Sequence, residues 1–448
     1  MITREEIVNK ADELRVHSSH VQRDYLHGWV LSGIYSRTDL SNHLVLKGGS
    51  CFRKGYFPKA RYSPDLDFAT TRSIPPDQVR ANLNSVCTFI SESTGVYFDT
   101  ARTRVDATPS ADSDRQIQKV RLYFRDFFGE ESELVLALRL DISSFERVFL
   151  SPEDRDLIHD YSDLGHVAAR VRCMKLEELL ASKLKCLLQR RHSADLYDFV
   201  NATLIRPVVE IDRAEMVRTF LRMTIFGSGP RIVKDLLINL PFQIIKGLWE
   251  NYLVLPRGAE VSFDDAVDGI TRIAEELFGT LPVGSSQYAF FPPNLRNPIL
   301  QAGHDLTMLR AKYHGVDRLV EPYSLKYKQR QDGVAREYLY VYDTTGGRTS
   351  GPGLKSLVYS GLDAIENTDI SFNPRCEVEL SKAGQLFGQK YFPGSPGPRG
   401  YTHRSSAAYV VECPSCGKRF RRNSYSTKLN AHKDKYGNKC YARSGFIV

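Results

Sequence analysis

No run of eighteen apolar residues occurs anywhere in the 448-residue chain, so no membrane-spanning helix is expected. The first residues, Met1-Ile2-Thr3-Arg4-Glu5-Glu6, are polar and mixed in charge. They lack the apolar segment of a secretory signal, and a cytoplasmic protein is expected. Cysteine is sparse and mostly scattered. Cys51, Cys87, Cys173, Cys186 and Cys376 stand alone, which argues against a disulfide framework and suits small buried hydrophobes. Surplus positive charge is also missing from most of the chain. Residues 1–400 balance 51 basic against 51 acidic side chains, and the whole net charge of +8 falls in residues 401–448. General basicity is thereby excluded, and a dedicated anion-binding module at the C-terminal end is implied. With 42% hydrophobic and 25% charged residues, the composition is that of a globular protein. A chain of this length needs about two to four domains.

What is present centres on Lys47-Gly48-Gly49-Ser50 and, shortly after, Arg61-Tyr62-Ser63-Pro64-Asp65-Leu66-Asp67-Phe68. Alternate residues of a strand share a face, so Asp65 and Asp67 aim side by side. Two such carboxylates suit Mg²⁺, a hard cation that takes oxygen ligands and substrate phosphates. Gly48-Gly49 lets the backbone approach a bulky anion and present N–H groups to it.

Helical periodicity covers residues 1–40, and Leu44-Val45-Leu46 is a short strand entering the glycines. Another strand starts at Asp65, and an amphipathic helix follows Pro75-Pro76. Residues 115–145 predict a β-hairpin that turns at Gly129-Glu130-Glu131-Ser132. Asp141 lies on the face opposite the Leu134, Leu136, Leu138 and Leu140 row, where a third carboxylate could join Asp65 and Asp67. A helix is predicted from Lys175 to about Phe199, with Leu176, Leu179, Leu180, Leu184 and Leu187 as its stripe. Lys183 sits in the middle of that stripe, with Arg190 near the same line. A cation centred on a core-facing stripe needs an anionic partner, which would be a triphosphate or Asp65 or Asp67. Residues 205–280 are helical, interrupted at Pro230, Pro241 and Pro256. Gly284-Ser285-Ser286 and Pro292-Pro293-Asn294 form a linker. A helix over 297–312, then strands at 319–327, 337–343 and 369–372, predicts a small bent β-domain. Pro393 to Pro398 is a second linker.

The C-terminal segment holds Cys413-Pro414-Ser415-Cys416, then His432 and Cys440. These are four candidate tetrahedral zinc ligands, with His403 as an alternative. So short a segment buries little core, and a metal would drive its folding. Lys418, Arg419, Arg421, Arg422 and Lys428, together with Phe420 and Tyr425, mix cations and rings suited to phosphates and stacked bases.

Residues 20–200 resemble the AbiEii-type nucleotidyltransferase toxins, a branch of the polymerase-β-like nucleotidyltransferases. The resemblance rests on Arg23-Asp24-Tyr25, Leu46 to Ser50 with Arg53-Lys54, Arg61 to Phe68, Lys175 to Lys183, and Asp195-Leu196-Tyr197-Asp198, over roughly 40% of the chain. One departure stands out. Where the family commonly has Arg before the first Asp of the last motif, this chain has Ala194, and Arg190 or Arg191 would take its place. Residues 297–385 resemble a WYL domain, an SH3-like β-barrel, through Tyr313-His314-Gly315, Arg318 to Leu325, Arg336 to Tyr340 and Phe372 to Arg375, with Tyr338-Leu339-Tyr340 as a loose form of the signature tripeptide.

These resemblances imply an α+β chain in four parts. A nucleotidyltransferase domain spans 1–200, a helical domain 201–283, a WYL-like barrel 297–385 and a zinc-binding basic module 401–448. They imply transfer of a nucleoside monophosphate from an NTP to an RNA, typically a tRNA 3′ end, and control by an antitoxin. Asp65 and Asp67 would hold Mg²⁺, with Asp141 as third ligand or base. Lys47, Gly48, Gly49, Ser50, Arg53 and Ser63 would cradle phosphates, and a phosphate on Ser63 would repel the triphosphate. Lys183, assisted by Arg190 or Arg191, would stabilise the leaving pyrophosphate, and Asp195 would orient Lys183 or bind the nucleotide. The alternatives are a nucleic-acid-binding regulator with an inactive transferase fold, and nucleotidylation of a protein.

Overall fold

The computed structural model describes residues 2–382 except 110–115, 126–134, 191, 206–208, 225–229, 241, 282–290, 330–334 and 348–349; beyond these it describes 409–413, 416, 418–422, 428–433, 439–440 and 446–447. The expected hairpin turn at Gly129–Ser132, the Gly284-Ser285-Ser286 and Pro393–Pro398 linkers, Arg191, His403 and Tyr425 lie outside the described residues.

Helix α1 (Arg4–Leu14) starts on Thr3, whose Oγ1 accepts from the Glu6 N–H. Helix α2 (Ser18–Arg37) has no Asp, Glu, Lys or Arg between Asp24 and Arg37, and that stretch is buried nearly all round. Strand β1 (Val45–Lys47) runs into a single helical turn, α3 (Gly48–Cys51), and β2 (Asp65–Thr70) returns antiparallel to β1. Helix α4 (Pro76–Thr94) follows, with proline in its first turn and Gly95 closing it in the left-handed region at φ 75°. Then come β3 (Arg104–Pro109), β4 (Gln116–Arg125), β5 (Val135–Ser144), β6 (Glu153–Asp156), the short α5 (Leu164–Val167) and β7 (Arg170–Cys173).

These strands form one sheet in the order β3-β4-β5-β2-β1-β7-β6, with β2 parallel to β5 and β1 parallel to β7. Its apolar face carries Leu66, Phe68, Val120, Leu122, Phe124, Leu136, Leu138 and Leu140, in one core with Val30 and Ile34 of α2 and Val79, Leu83 and Val86 of α4. The opposite face carries the charged alternates of the same strands. Pairing period therefore sorts core from chemistry across one sheet.

Asp24 ties α2 to the turn that follows the glycines. It takes Arg53 Nε at 2.7 Å, Lys54 Nζ at 3.0 Å and the Tyr161 hydroxyl at 2.9 Å, all buried. Burial opposes its charge, but Arg53 and Lys54 outweigh that and hold its carboxyl far below the usual range.

The helix expected over 175–199 is two helices, α6 (Leu176–Gln189) and α7 (Ser193–Val200). Arg190 is extended at φ −149°, and His192 caps α7 by accepting from the Ala194 N–H. Helices α8 (Arg213–Met223), α9 (Ile232–Ile238), α10 (Phe242–Tyr252) and α11 (Phe263–Phe278) pack on α6 and α7 and share the core of the sheet.

A second core surrounds α12 (Pro293–Asp305) and strands β8 (Thr307–Tyr313), β9 (Val316–Gln329), β10 (Ala335–Asp343), β11 (Gly353–Val358) and β12 (Leu362–Ser371). The expected helix over 297–312 ends early. Leu306 turns left-handed at φ 54°, and Leu309 and Ala311 then bury alternately as a strand. Pro293 and Asn294, read as linker, begin α12. The sheet order is β11-β10-β9-β8-β12, and among the described residues its end strands do not pair. The expected SH3-like barrel is thus an open five-stranded sheet.

Strands β13 (Tyr409–Glu412), β14 (Arg419–Arg422), β15 (His432–Lys433), β16 (Lys439–Cys440) and β17 (Phe446–Ile447) form the C-terminal module. Val411, Cys413, Leu429 and Cys440 join the first core rather than the second, and β17 packs on β5. The chain end thus folds back across the intervening domain onto the first sheet.

Asp24→Ala leaves Arg53 and Lys54 buried without their partner. A loss of about 3–5 kcal/mol is expected, read as a lower urea midpoint with an unchanged slope.

Candidate active site

Parallel pairing of β2 with β5 sets Asp67 directly beside Asp141, and Asp65 beside Arg139. Asp65, Asp67 and Asp141 are each partly buried and share one face of the sheet. Burial, then the charges of Asp67 and Asp141, push the Asp65 carboxyl up to about 7; Arg139 and Arg61 oppose this. Crowding of this kind is relieved by a cation, and an all-oxygen donor set fits a hard one such as Mg²⁺.

The glycines serve this arrangement in an unexpected way. Gly48 has φ +70°, and a Cβ there would fall 2.2 Å from Asp67 Oδ2. A Cβ on Gly49 would fall 2.4 Å from Arg61 Nη2. Gly48 makes room for a carboxylate and Gly49 for a guanidinium. Ser63 Oγ donates to Asp65 Oδ1 at 3.3 Å. Ser50 is buried, its hydroxyl has no hydrogen-bond partner among the described residues, and it does not line the cleft beside Gly48. Arg53, expected at the phosphates, is instead buried against Asp24 with Tyr62 3.9 Å from its guanidinium.

Lys183 is buried on the apolar stripe of α6. Its partners are neither Asp65 nor Asp67. Nζ lies 2.9 Å from Asp195 Oδ1 and 2.8 Å from Asp198 Oδ2. The break after Gln189 turns α7 back so that both acids face α6. Arg190 completes the group, with Nε donating to Asp195 Oδ2 at 2.6 Å and Nη2 to Oδ1 at 2.9 Å. Arg190 thus supplies the guanidinium that Ala194 lacks. Arg61 grips Asp198 through Nε and Nη2, each at 2.8 Å. Burial disfavours the Lys183 charge, but Asp195 and Asp198 raise its pKa above the ordinary lysine value. Asp195 in turn is held far below the carboxylate range, because Arg190 and Lys183 outweigh its burial.

Lys47, Gly48, Asp67, Asp141, Lys183 and Arg190 line one cleft. Leu325 and Lys326 of β9, with Glu379 and Leu380, line it from the second domain, and Gln189 Nε2 donates to the Leu325 carbonyl at 2.7 Å. Lys47 Nζ meets Glu146 Oε2 at 2.5 Å.

Several residues with a part in the site carry no role that the sequence assigns. Arg61 and Asp198 sat within quoted motifs without a role. Lys119, Arg121 and Arg139 showed only as the polar alternates of the hairpin, on the face of the carboxylates. Arg121 Nη1 donates to Glu412 Oε1 at 2.7 Å, and Lys119 donates to Glu377. Burial, then Arg121 close by, lower the Arg139 pKa.

In the C-terminal module the metal-ligating atoms of Cys413, Cys416, His432 and Cys440 all lie within 4.8 Å of one another. Cys413 Sγ is 3.6 Å from Cys440 Sγ, near the edge of about 3.8 Å that a zinc–thiolate tetrahedron has. His432 Nδ1 lies 2.8 Å from the Asn430 carbonyl and donates to it, which makes Nε2, 3.3 Å from Cys416 Sγ, the candidate metal-binding nitrogen. Arg419 is turned inward onto Glu412 at 2.8 Å rather than outward to a phosphate. Lys418 and Lys428 are exposed, and the side chains of Arg421 and Arg422 lie outside the described residues.

Three carboxylates on a mixed sheet, beside a glycine turn and a cluster of cations, are a constellation that suits a nucleotidyltransferase. The family model for the nucleotidyl transferase AbiEii toxin of type IV toxin–antitoxin systems matches residues 29–266. The chain belongs to that family. Among solved structures it is similar to MenT4, a nucleotidyltransferase toxin from Mycobacterium tuberculosis H37Rv. The two are 18% identical, over 63% of this chain and 91% of that one, with a TM-score of 0.41. No curated protein matches the chain significantly. Among the described residues no helix is long and apolar enough to cross a membrane.

The Asp65 shift carries a sign that can be measured. Its folded pKa of about 7 stands above the unfolded value, so the native state keeps a proton that the unfolded chain has already released. Its contribution to stability is present in full below about pH 4 and falls as pH rises to about 7. Without divalent metal, Asp65→Asn is expected to remove this fall, seen as the difference between the Tm–pH profiles of variant and native chain.

Proposed function

We propose that the chain is a Mg²⁺-dependent nucleotidyltransferase toxin that moves a nucleoside monophosphate from an NTP to an RNA, the 3′ end of a tRNA. A cognate antitoxin controls it, and its substrates place it in the cytoplasm. The observation that carries this reading is the register of β2 and β5, which puts Asp67 beside Asp141 with Asp65 one step along. Asp65, Asp67 and Asp141 would hold the metal. Magnesium there would supply charge neutralisation at the triphosphate and a lowered pKa for the acceptor hydroxyl. Asp141 also stands where a general base can take the proton of that hydroxyl. Lys183 and Arg190 present positive charge along the α6 wall of the cleft, where negative charge gathers on the departing pyrophosphate. Asp195 fixes both cations in place. Lys47 and the N–H groups at Gly48, Gly49 and Ser50 serve the phosphates. A phosphate on Ser63 would place negative charge beside Asp65 and repel the triphosphate, an off-switch.

Cys413, Cys416, His432 and Cys440 hold a structural zinc ion in this reading. The WYL-like five-stranded domain and the zinc module steer RNA through its backbone, with Lys418, Lys428, Arg421 and Arg422 as phosphate contacts. Arg419 stabilises the module itself through Glu412. The regulator alternative leaned on Ala194, and the Arg190–Asp195 pair weakens that support.

Total RNA incubated with each labelled NTP in turn is expected to accept label from one NTP. Asp67→Ala should lower incorporation by about a thousandfold or more. A variant that keeps full activity would rule out this site, and label entering protein rather than RNA would rule out the acceptor. Metal analysis should find zinc bound to the purified chain, unchanged in Asp67→Ala and lost in Cys416→Ser.

A further inference from the structure

The charged face of the first sheet carries a row that is unfavourable by itself. Arg139 of β5 lies opposite Arg121 of β4, and Arg121 opposite Arg104 of β3. Like charges directly across a ladder destabilise it. Strands are spaced about 4.8 Å apart, so the arginines stand one, two and three strands from Asp65. One row along, Lys119 lies opposite Asp141. Arg139 makes no hydrogen bond or ion pair with the described residues, although Glu412, Asp65 and Asp141 act on it electrostatically.

Two carboxylates from distant parts of the chain answer this charge. Glu412, 1% exposed, binds Arg121, and Glu377 binds Lys119. Both belong to segments laid over the face that carries the metal ligands.

In-line displacement at phosphorus sets the entering hydroxyl opposite the leaving pyrophosphate. On the transferase reading, Gly48, Lys183 and Arg190 of the cleft would hold the triphosphate on the β1 and α6 side of the carboxylates. The acceptor then has to arrive from the β5 and β4 side, across Arg139, Arg121 and Lys119.

We propose that Arg139, Arg121 and Lys119 form the phosphate track of the RNA acceptor, and that Glu412 and Glu377 fill it in the free protein as internal phosphate mimics. This rests on the transferase reading of the carboxylate site. The acceptor strand displaces both carboxylates to reach the metal ligands, so the C-terminal segments set the threshold for RNA entry.

The test is binding of a short single-stranded RNA with a free 3′-hydroxyl, measured without NTP on the full chain, with zinc content as a folding control. Glu377→Gln/Glu412→Gln should tighten binding about fivefold or more with the salt slope unaltered, since the final contacts are the same. Arg121→Gln should weaken binding and lower the salt slope by about 0.7. Adding Arg121→Gln to Glu412→Gln should cancel the gain at that position. Unchanged or weaker binding by the double glutamine variant overturns the proposal, as does an unchanged slope in Arg121→Gln. A polyglutamate peptide that competes as well as RNA overturns it too, because the row would then be a docking surface for acidic protein. Transfer by the native chain is assayed separately. Tighter RNA binding alongside no transfer to any RNA would sink the transferase reading while leaving the cation row and its mimics in place.

Discussion

The pairing of β2 with β5 is the constraint on which the rest of the molecule depends. It brings three carboxylates onto one face, where burial and then their mutual repulsion lift the Asp65 pKa. Much of the nearby architecture answers that crowding. Gly48 gives up its Cβ to the Asp67 carboxylate. Arg139 and Arg61 lie close enough to lower the Asp65 pKa in part. Repulsion left at rest is what a metal or a substrate cation can discharge, so the strain is a reservoir for binding.

A second cluster supports the first from below. Arg61, Lys183 and Arg190 interlock with Asp198 and Asp195, all buried or nearly so. Three cations against two acids leave one positive charge in excess under the glycine turn. Arg61 connects this cluster to the carboxylates, because it grips Asp198 while passing the space left by Gly49. Removing either acid would leave buried cations short of a partner, which makes the group a rigid base for the α6 wall of the cleft.

Local pattern made half of this visible. The i, i+2 spacing put Asp65 and Asp67 on one face, and strand alternation put Asp141 on the polar side of its hairpin. A lysine in the middle of a leucine stripe showed that Lys183 had to be paired. The Cys and His spacing marked the four converging ligands. Register between β2 and β5 was not visible, because parallel partners far apart in sequence leave no local mark. Nor was the break at Arg190, since the leucine stripe and the apolar positions of α7 both keep a helical period. That break brings Asp195 and Asp198 to Lys183; the resemblance had implied Asp195 as its orienting group, whereas the stripe alone offered Asp65 and Asp67, which are not its partners. In the second domain, the alternation at Leu309 and Ala311 was submerged in a plausible helix, and the extra strand and the lack of barrel closure went with it.

The position of the C-terminal module has a physical logic that its own sequence hides. A basic segment was expected to offer its cations to phosphates, yet among the described residues its most buried charge is an acid, Glu412. That acid stands next to the first cysteine of the cluster, so the fold around the cysteines and the placement of the carboxylate are set together. Glu412 neutralises Arg419 from its own strand pair and Arg121 from the first sheet. The Cys/His cluster is thus fastened to the face that bears Asp65, Asp67 and Asp141 by a charge contact, not by apolar packing alone. A contact of that kind can be exchanged for a phosphate at little loss to either side, because a guanidinium binds carboxylate and phosphate in similar fork geometry. The same exchange would be far harder at an apolar seam, where opening exposes surface to water. Electrostatic fastening is what lets a cover over the sheet hold in the free protein and still yield to a polyanion.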